Sequence, residues 1–309
     1  MTAPHPSPRI ATQPRSSGWI DAAVVAGGAT VVAPAEATGV VWTDPSGPQA
    51  LAELLAAHPG IDWVQLPWAG VEPYLDVIAA EPGRTWSCAK GVYSEPVGEH
   101  AVALLLAGFR DLHRFARLDT WTGDGGRNLL GARVAILGGG GIAEVVVRLL
   151  GPFGTHVTVV RNTPRAMAGV DRVVGADQLH QALAGADAVV LALPLTSATR
   201  HVLGATELAL LAPGAWVVNV ARGEHVDTDA LLAALDSGHL GGAALDVTDP
   251  EPLPDGHALW SQPNVVITPH TANTAAMARP LLSRRITENV TRYAAGTQLV
   301  GLIDATLGY

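Results

Sequence analysis

The run RVAIL at 133–137 passes directly into four consecutive glycines, 138–141, which open the amphipathic segment IAEVVVRLL. An apolar strand, a glycine turn and a helix-period segment make half of a β-α-β unit, and HVTVV at 156–160 supplies the second strand. No other feature restricts the fold as much. Parallel strands need a crossover helix lying on the sheet, so repetition of the unit places helices on both faces. Further strands are expected in ADAVVLALP, AWVVNVA, GAALDV and NVVITPH, each preceded by a helical or turn segment. The expected fold class is therefore α/β, with a doubly wound parallel sheet.

Within the glycine run, Gly138, Gly140 and Ala143 fill the pattern G-x-G-x-x-G/A. Gly138 permits the tight turn, Gly140 lets a pyrophosphate approach the backbone, and Ala143 keeps helix and strand close. The backbone N–H groups of Gly140, Gly141 and Ile142 then face the ligand, where the helix dipole favours negative charge. Four glycines could be only a flexible turn, but a strand on one side and a helix on the other argue for a dinucleotide site. About 20 positions on, where an acidic residue would accept from a free ribose hydroxyl, the chain has Arg161, followed by Asn162 and Thr163. A guanidinium there suits a 2′-phosphate, so NADP is the expected cofactor, with NAD possible. The competing reading makes Arg161 a solvated strand end.

From Trp19 to Cys88 the short runs VVA, GVVW, IDWVQLP and TWSCA alternate with turns and with the helical PQALAELLAAHPG, which predicts a small α/β domain. SEPVGEHAVALLLAGFRDLHRFARL then reads as one long helix, from Glu95 to about Leu118. After Pro269 the run AMARPLLSRRITENVTRYAAG reads as helical and is expected to return to the first domain. The predicted organisation is a disordered arm at 1–18, a discontinuous Rossmann-like domain at 19–97 and 282–309, and the dinucleotide domain at 98–281.

The net charge of −9 repels phosphate backbones and anionic membranes, so neither nucleic acid nor lipid is expected as a partner. No segment approaches the roughly 20 apolar residues of a membrane span. A single cysteine, Cys88, rules out an intrachain disulfide and a thiolate zinc site; no metal is expected, and the cytoplasm is the expected compartment.

Ligands of doubly wound sheets bind outside the carboxyl ends of the strands, where Arg222, Asp246, Glu251 and His270 would converge. Each alone is an ordinary surface or core residue. Together with GGGGIA, LPLTSATRHVL, NVARG, LDVTDPEPLP and TPH, in that order, they resemble the D-isomer-specific 2-hydroxyacid dehydrogenase family from about Trp63 onward. Glu251 follows Arg222 by 29 positions (251 − 222) and His270 follows Glu251 by 19 (270 − 251), a spacing similar to that of the glyoxylate and hydroxypyruvate reductase branch.

The resemblance implies a two-domain NAD(P)-dependent oxidoreductase acting on a small 2-oxo or 2-hydroxy acid. It implies that Arg222 orients the substrate, that His270 is the general acid/base and that Glu251 supports its imidazole. It places Asp246 near the nicotinamide and the backbone around Val220 against the cofactor. It assigns the substrate carboxylate to main-chain amides near Trp68, Ala69 and Gly70. It also implies a homodimer, paired through the long helix and the arm to Trp121. The chemistry suits these types: carbonyl reduction needs a positioned proton donor, and a planar cation stabilises developing charge. Other readings remain open at this stage, namely a dehydrogenase of another small anion such as phosphite, or a cofactor-sensing binding protein. Which 2-oxo acid is used also stays open.

Overall fold

The computed structural model describes residues 7–44 and 47–304, and the chain divides into two compact units: Met1–Tyr93 with Thr274–Tyr309, and Ser94–Asn273. Each has its own parallel sheet.

The first unit contains β1 (Arg9–Gln13), β2 (Thr30–Val31), β3 (Gly39–Trp42), β4 (Trp63–Gln65) and β5 (Thr85–Ser87), in the spatial order β2-β1-β3-β4-β5. Strand β1 corrects the expectation of a disordered arm over 1–18; residues 1–6 of that arm lie outside the described residues. Pro and Ser suggest disorder by composition. Yet Ile10 and Ala11 are fully buried, because β1 pairs with β2 on one side and β3 on the other.

The helix Ala275–Ala294 closes this unit. Its Val290 packs so tightly on the first helix, Gly18–Ala26, that a Cβ on Gly27, just beyond that helix, would lie 2.6 Å away. Its buried Asn289 donates to Gln65 Oε1 on β4 at 2.7 Å. Such a buried amide pair fixes where the returning segment docks, since mispairing would strand polar atoms away from water.

The second unit contains β6 (Arg133–Leu137), β7 (His156–Val160), β8 (Arg172–Val174), β9 (Ala188–Leu191), β10 (Ala215–Asn219), β11 (Leu240–Leu245) and β12 (Val265–Ile267). Their order is β12-β11-β10-β9-β6-β7-β8, all parallel. Alternate residues of β6 feed two different cores, Ala135 and Leu137 one, Val134 and Ile136 the other. A strand buried on both faces reads as a continuous apolar run, as RVAIL does. The edge strand β8 was not anticipated.

Two expected boundaries shift. The domain changes fall at 93/94 and 273/274 rather than at 97/98 and 281/282, because each crossing helix stays whole within one unit. The long helix to Leu118 instead ends at Phe109 and resumes only as Leu112–Phe115. Between them Asp111 is left-handed at φ 52°, a conformation Asp tolerates better than most residues, and the Phe109 carbonyl accepts from the Arg127 N–H at 2.5 Å. Among the described residues no helix is long and apolar enough to cross a membrane.

Candidate active site

Gly138 leaves β6 with φ +108°, and a Cβ there would lie 2.1 Å from the Ala192 carbonyl oxygen, so no other residue fits this turn. Gly140 is the N-cap of the helix Gly141–Leu150 and has nothing within 4 Å of its Cβ position. No side chain caps that helix, and Ala143 is fully buried behind it. The N–H groups at Gly140, Gly141 and Ile142 therefore border an open cradle at a positive helix end.

Arg161, directly after β7, lies across this turn: a Cβ on Gly139 would meet its Cδ at 2.8 Å. Its Nε and Nη1 are buried without hydrogen-bond partners. Two orphaned cationic donors beside an uncapped helix end fit the phosphates of a dinucleotide. Asn162 and Thr163 follow on the surface, and Val220 is buried, its N–H directed at the Leu191 carbonyl at 3.4 Å.

The four titratable candidates for chemistry follow three adjacent strands. Arg222 follows β10, Asp246 and Glu251 follow β11, and His270 follows β12. Gly223 packs against the β11 loop closely enough that a Cβ would meet the Thr248 carbonyl oxygen at 1.9 Å, which brings the Arg222 and Glu251 segments side by side. The buried Asn219 shapes the Arg222 turn: its Nδ2 donates to the Arg222 carbonyl at 2.7 Å and its Oδ1 accepts from Ala221 N at 3.0 Å.

Glu251 Oε1 lies 2.7 Å from His270 Nδ1, with both side chains partly exposed. An ionised carboxylate only accepts, so Nδ1 carries the proton and Nε2 is left for a ligand. His270 itself is left-handed at φ 48°. That conformation is strained for His, and Asp246 holds it. The Asp246 carbonyl accepts from His270 N at 2.8 Å, its Oδ1 from Thr271 N at 2.9 Å and its Oδ2 from Ala272 N at 3.1 Å.

Thr268 Oγ1 donates to Asp246 Oδ1 at 2.6 Å, and His100 Nε2 stands 3.0 Å from that hydroxyl. Burial opposes ionisation of Asp246, but hydrogen bonds from His100, Thr268, Thr271 and Ala272 outweigh it and hold the carboxyl at about 2.

The structure thus brings Glu251 and His270 into contact and sets Arg222 on the neighbouring strand end. Trp68, Ala69 and Gly70 belong to the first unit, in the loop after β4, where the Trp68 carbonyl accepts from Ala89 N at 2.8 Å. Sequence reasoning missed Asn219, Thr268 and His100. Asn219 carries a signal, a polar residue at the buried end of an apolar strand; His100 carries only its place beside Glu99 at the start of an apolar helical run.

Three comparisons bear on this geometry. A family model for the D-isomer specific 2-hydroxyacid dehydrogenase, NAD binding domain, matches residues 101–272. The chain is 32% identical over 280 residues to the glyoxylate/hydroxypyruvate reductase A of Serratia proteamaculans, covering 87% of each protein. It is similar to a D-isomer specific 2-hydroxyacid dehydrogenase from Xanthobacter autotrophicus Py2 solved with NADPH and MES, with TM-score 0.85 and 30% identity over 98% of this chain and 100% of that one. It is also similar to the NADPH-dependent glyoxylate/hydroxypyruvate reductase of Sinorhizobium meliloti solved with NADP and sulfate, with TM-score 0.82 and 26% identity over 98% and 100% of the two chains.

Asp246 makes folding pH-dependent. Its folded carboxyl, near 2 against an ordinary 3.8, adds stability that is complete above the ordinary value and disappears as pH falls through the folded one. That difference corresponds to roughly 2–3 kcal/mol. Urea titrations should show wild type losing stability between about pH 4 and pH 2, and Asp246→Asn losing much less over that window. Parallel curves would exclude the assignment.

Proposed function

The chain belongs to the D-isomer specific 2-hydroxyacid dehydrogenase family, whose members are NAD(P)-dependent oxidoreductases, and from this we propose that it reduces a small 2-oxo acid to the 2-hydroxy acid with NADPH as the preferred donor and NADH as a weaker one. The observation that carries the reading is the His270–Glu251 pair at 2.7 Å, set on strand ends beside Arg222.

The cofactor, when bound, supplies hydride to the carbonyl carbon. Gly138 to Ile142 would hold its diphosphate at the turn and helix end, Arg161 with Asn162 would hold its 2′-phosphate, and the Val220 backbone would contact the cofactor. As the imidazolium, with a proton on each ring nitrogen, His270 gives the Nε2 proton to the carbonyl oxygen, and Glu251 keeps its hydrogen bond to Nδ1–H, so the ring left behind is the neutral Nδ1–H tautomer. Arg222 binds the substrate carboxylate and stabilises charge developing on the oxygen. Asp246 stays near the nicotinamide in this reading and also holds the His270 turn, since its side chain is 2% exposed and both its oxygens accept from that turn.

We extend the reading to a homodimer. It is supported by the exposed apolar side chains of Leu112, Leu118, Trp121 and Leu130 in and after the segment expected to pair. Light scattering at micromolar concentration should give the mass of two chains; a single-chain mass would refute the pairing.

Turnover with a panel of 2-oxo acids and NADPH tests the activity itself. His270→Ala should lower kcat by at least about a hundredfold while leaving NADPH binding nearly intact. Glu251→Gln, which keeps an acceptor for Nδ1–H, should cost less. Equal losses in the two variants would contradict the division of roles.

Cofactor choice rests on Arg161. A hydrogen bond to a charged group contributes roughly 1.5–3 kcal/mol, or about one to two powers of ten in affinity. Wild type should therefore show a higher kcat/KM with NADPH than with NADH, and Arg161→Asp should reverse the order, because a carboxylate repels the phosphate and accepts from free ribose hydroxyls. An unchanged ratio in the Asp variant would make Arg161 only a strand end.

A further inference from the structure

His100 stands in the helix Ser94–Phe109, 168 positions before the residue its ring touches, and no part of the proposed chemistry uses it. Its surroundings determine its hydrogen. The Asp246 carboxylate, held ionised, can only accept, so the Thr268 hydroxyl donates to Oδ1 across 2.6 Å. That hydroxyl then has only lone pairs to offer His100. Nε2, 3.0 Å away, must therefore carry the proton and donate, and it also lies 3.5 Å from Asp246 Oδ1. The result is a directed chain, from His100 N–H to Thr268 O–H to the Asp246 carboxylate, whose oxygens in turn hold the N–H groups of Thr271 and Ala272.

We propose that His100 is a positioning residue for His270, acting through Thr268 and Asp246 to hold the turn that aims the imidazole. The proposal rests on the reading of His270 as the general acid/base. Thr268 and His270 are two positions apart, and the Thr268 carbonyl shares the His270 N–H with the Asp246 carbonyl, at 2.9 and 2.8 Å. The turn is therefore gripped at both ends by one carboxylate and its partner hydroxyl. Without a donor at Nε2 the Thr268 hydroxyl loses the contact that sets its rotation, and Asp246 Oδ1 loses the fixed aim of its nearest partner, the hydroxyl at 2.6 Å. The strained φ of 48° at His270 then relaxes among several geometries. His100 is 22% exposed and its ring touches polar atoms, so packing alone does not account for its place in the helix.

The test uses the full chain, with glyoxylate and NADPH as probes, and compares His100→Leu, His100→Gln, Thr268→Val and the double variant His100→Leu with Thr268→Val. His100→Leu should lower kcat at least about tenfold while KM for NADPH stays within about twofold, the pattern of a misaimed catalytic group rather than a lost binding contact. His100→Gln, which keeps an N–H donor at similar reach, should recover most of kcat. Thr268→Val should match His100→Leu, and the double variant should be no worse than the poorer single one, because the two residues act in one chain.

A His100→Leu protein with a lower melting temperature but normal kcat overturns the proposal, as do Gln and Leu variants of equal activity or losses that simply add. Should His100→Leu not fold, Thr268→Val decides: normal kcat there overturns the proposal, and reduced kcat with His100→Gln near wild type supports it. Wild-type turnover that survives His270→Ala overturns instead the reading of His270 beneath it, and the positioning role falls with that reading.

Discussion

Three consecutive backbone N–H groups, those of His270, Thr271 and Ala272, end on the single residue Asp246, and the geometry of the candidate site depends on that grip. A left-handed conformation at a residue other than glycine costs on the order of 1–3 kcal/mol, and burying a carboxylate costs several more. Hydrogen bonds to a charged acceptor contribute roughly 1.5–3 kcal/mol each, so the two amides, with Thr268 and His100 behind them, offset both terms. The carboxylate is thus stabilised by the same bonds that strain His270. Neither feature persists without the other, which is why the turn adopts one geometry.

The grip is useful because the sheet has already placed its parts. In a parallel sheet every strand leaves in the same direction, so consecutive crossovers deliver the residues after β10, β11 and β12 to one edge. What remains is to fix the turns against each other. Gly223 against Thr248 sets the spacing of the first two, Asn219 holds the backbone of Arg222, and Asp246 joins the second to the third. Arg222, Glu251 and His270 are carried by loops, yet each loop is tied to a neighbouring strand end. Their precision is therefore that of the sheet rather than that of free loops.

What the sequence discloses and what it conceals divide along the range of the contacts. The glycine turn, the parallel strands of the second unit and the order of Arg222, Glu251 and His270 are written in short windows, where local period and spacing suffice. Strand β1 is hidden because RIATQ lies between Pro8 and Pro14 in a stretch whose composition suits disorder; its burial comes from pairing with residues 20 to 30 positions away. The break at Asp111 depends on Arg127 capturing the Phe109 carbonyl, again a contact outside any helical window. His100 is the extreme case. Within its helix it follows Glu99 at the start of an apolar run, and its meaning lies in partners 146 (246 − 100) and 168 (268 − 100) positions along the chain.

Two kinds of polar group in the second unit bear on the site. Asp246, Asn219 and Thr268 have their hydrogen bonds met from within, and they define shape. Arg161 has buried Nε and Nη1 donors with no partner, and the helix beginning at Gly141 has no side-chain cap. Leaving such groups unmet costs roughly 1–3 kcal/mol for each buried donor, and more where it is charged. Asn219 and Asp246 have their buried oxygens met, whereas Arg161 has two unmet donors on one cation. Placed together, the unmet cation and the unmet helix end have the donor chemistry of a phosphate site, and a bound anion would repay both at once. On this argument the free energy that these groups forgo in the folded chain is held for the ligand, whereas that of the Asp246 clamp is already realised before any ligand arrives.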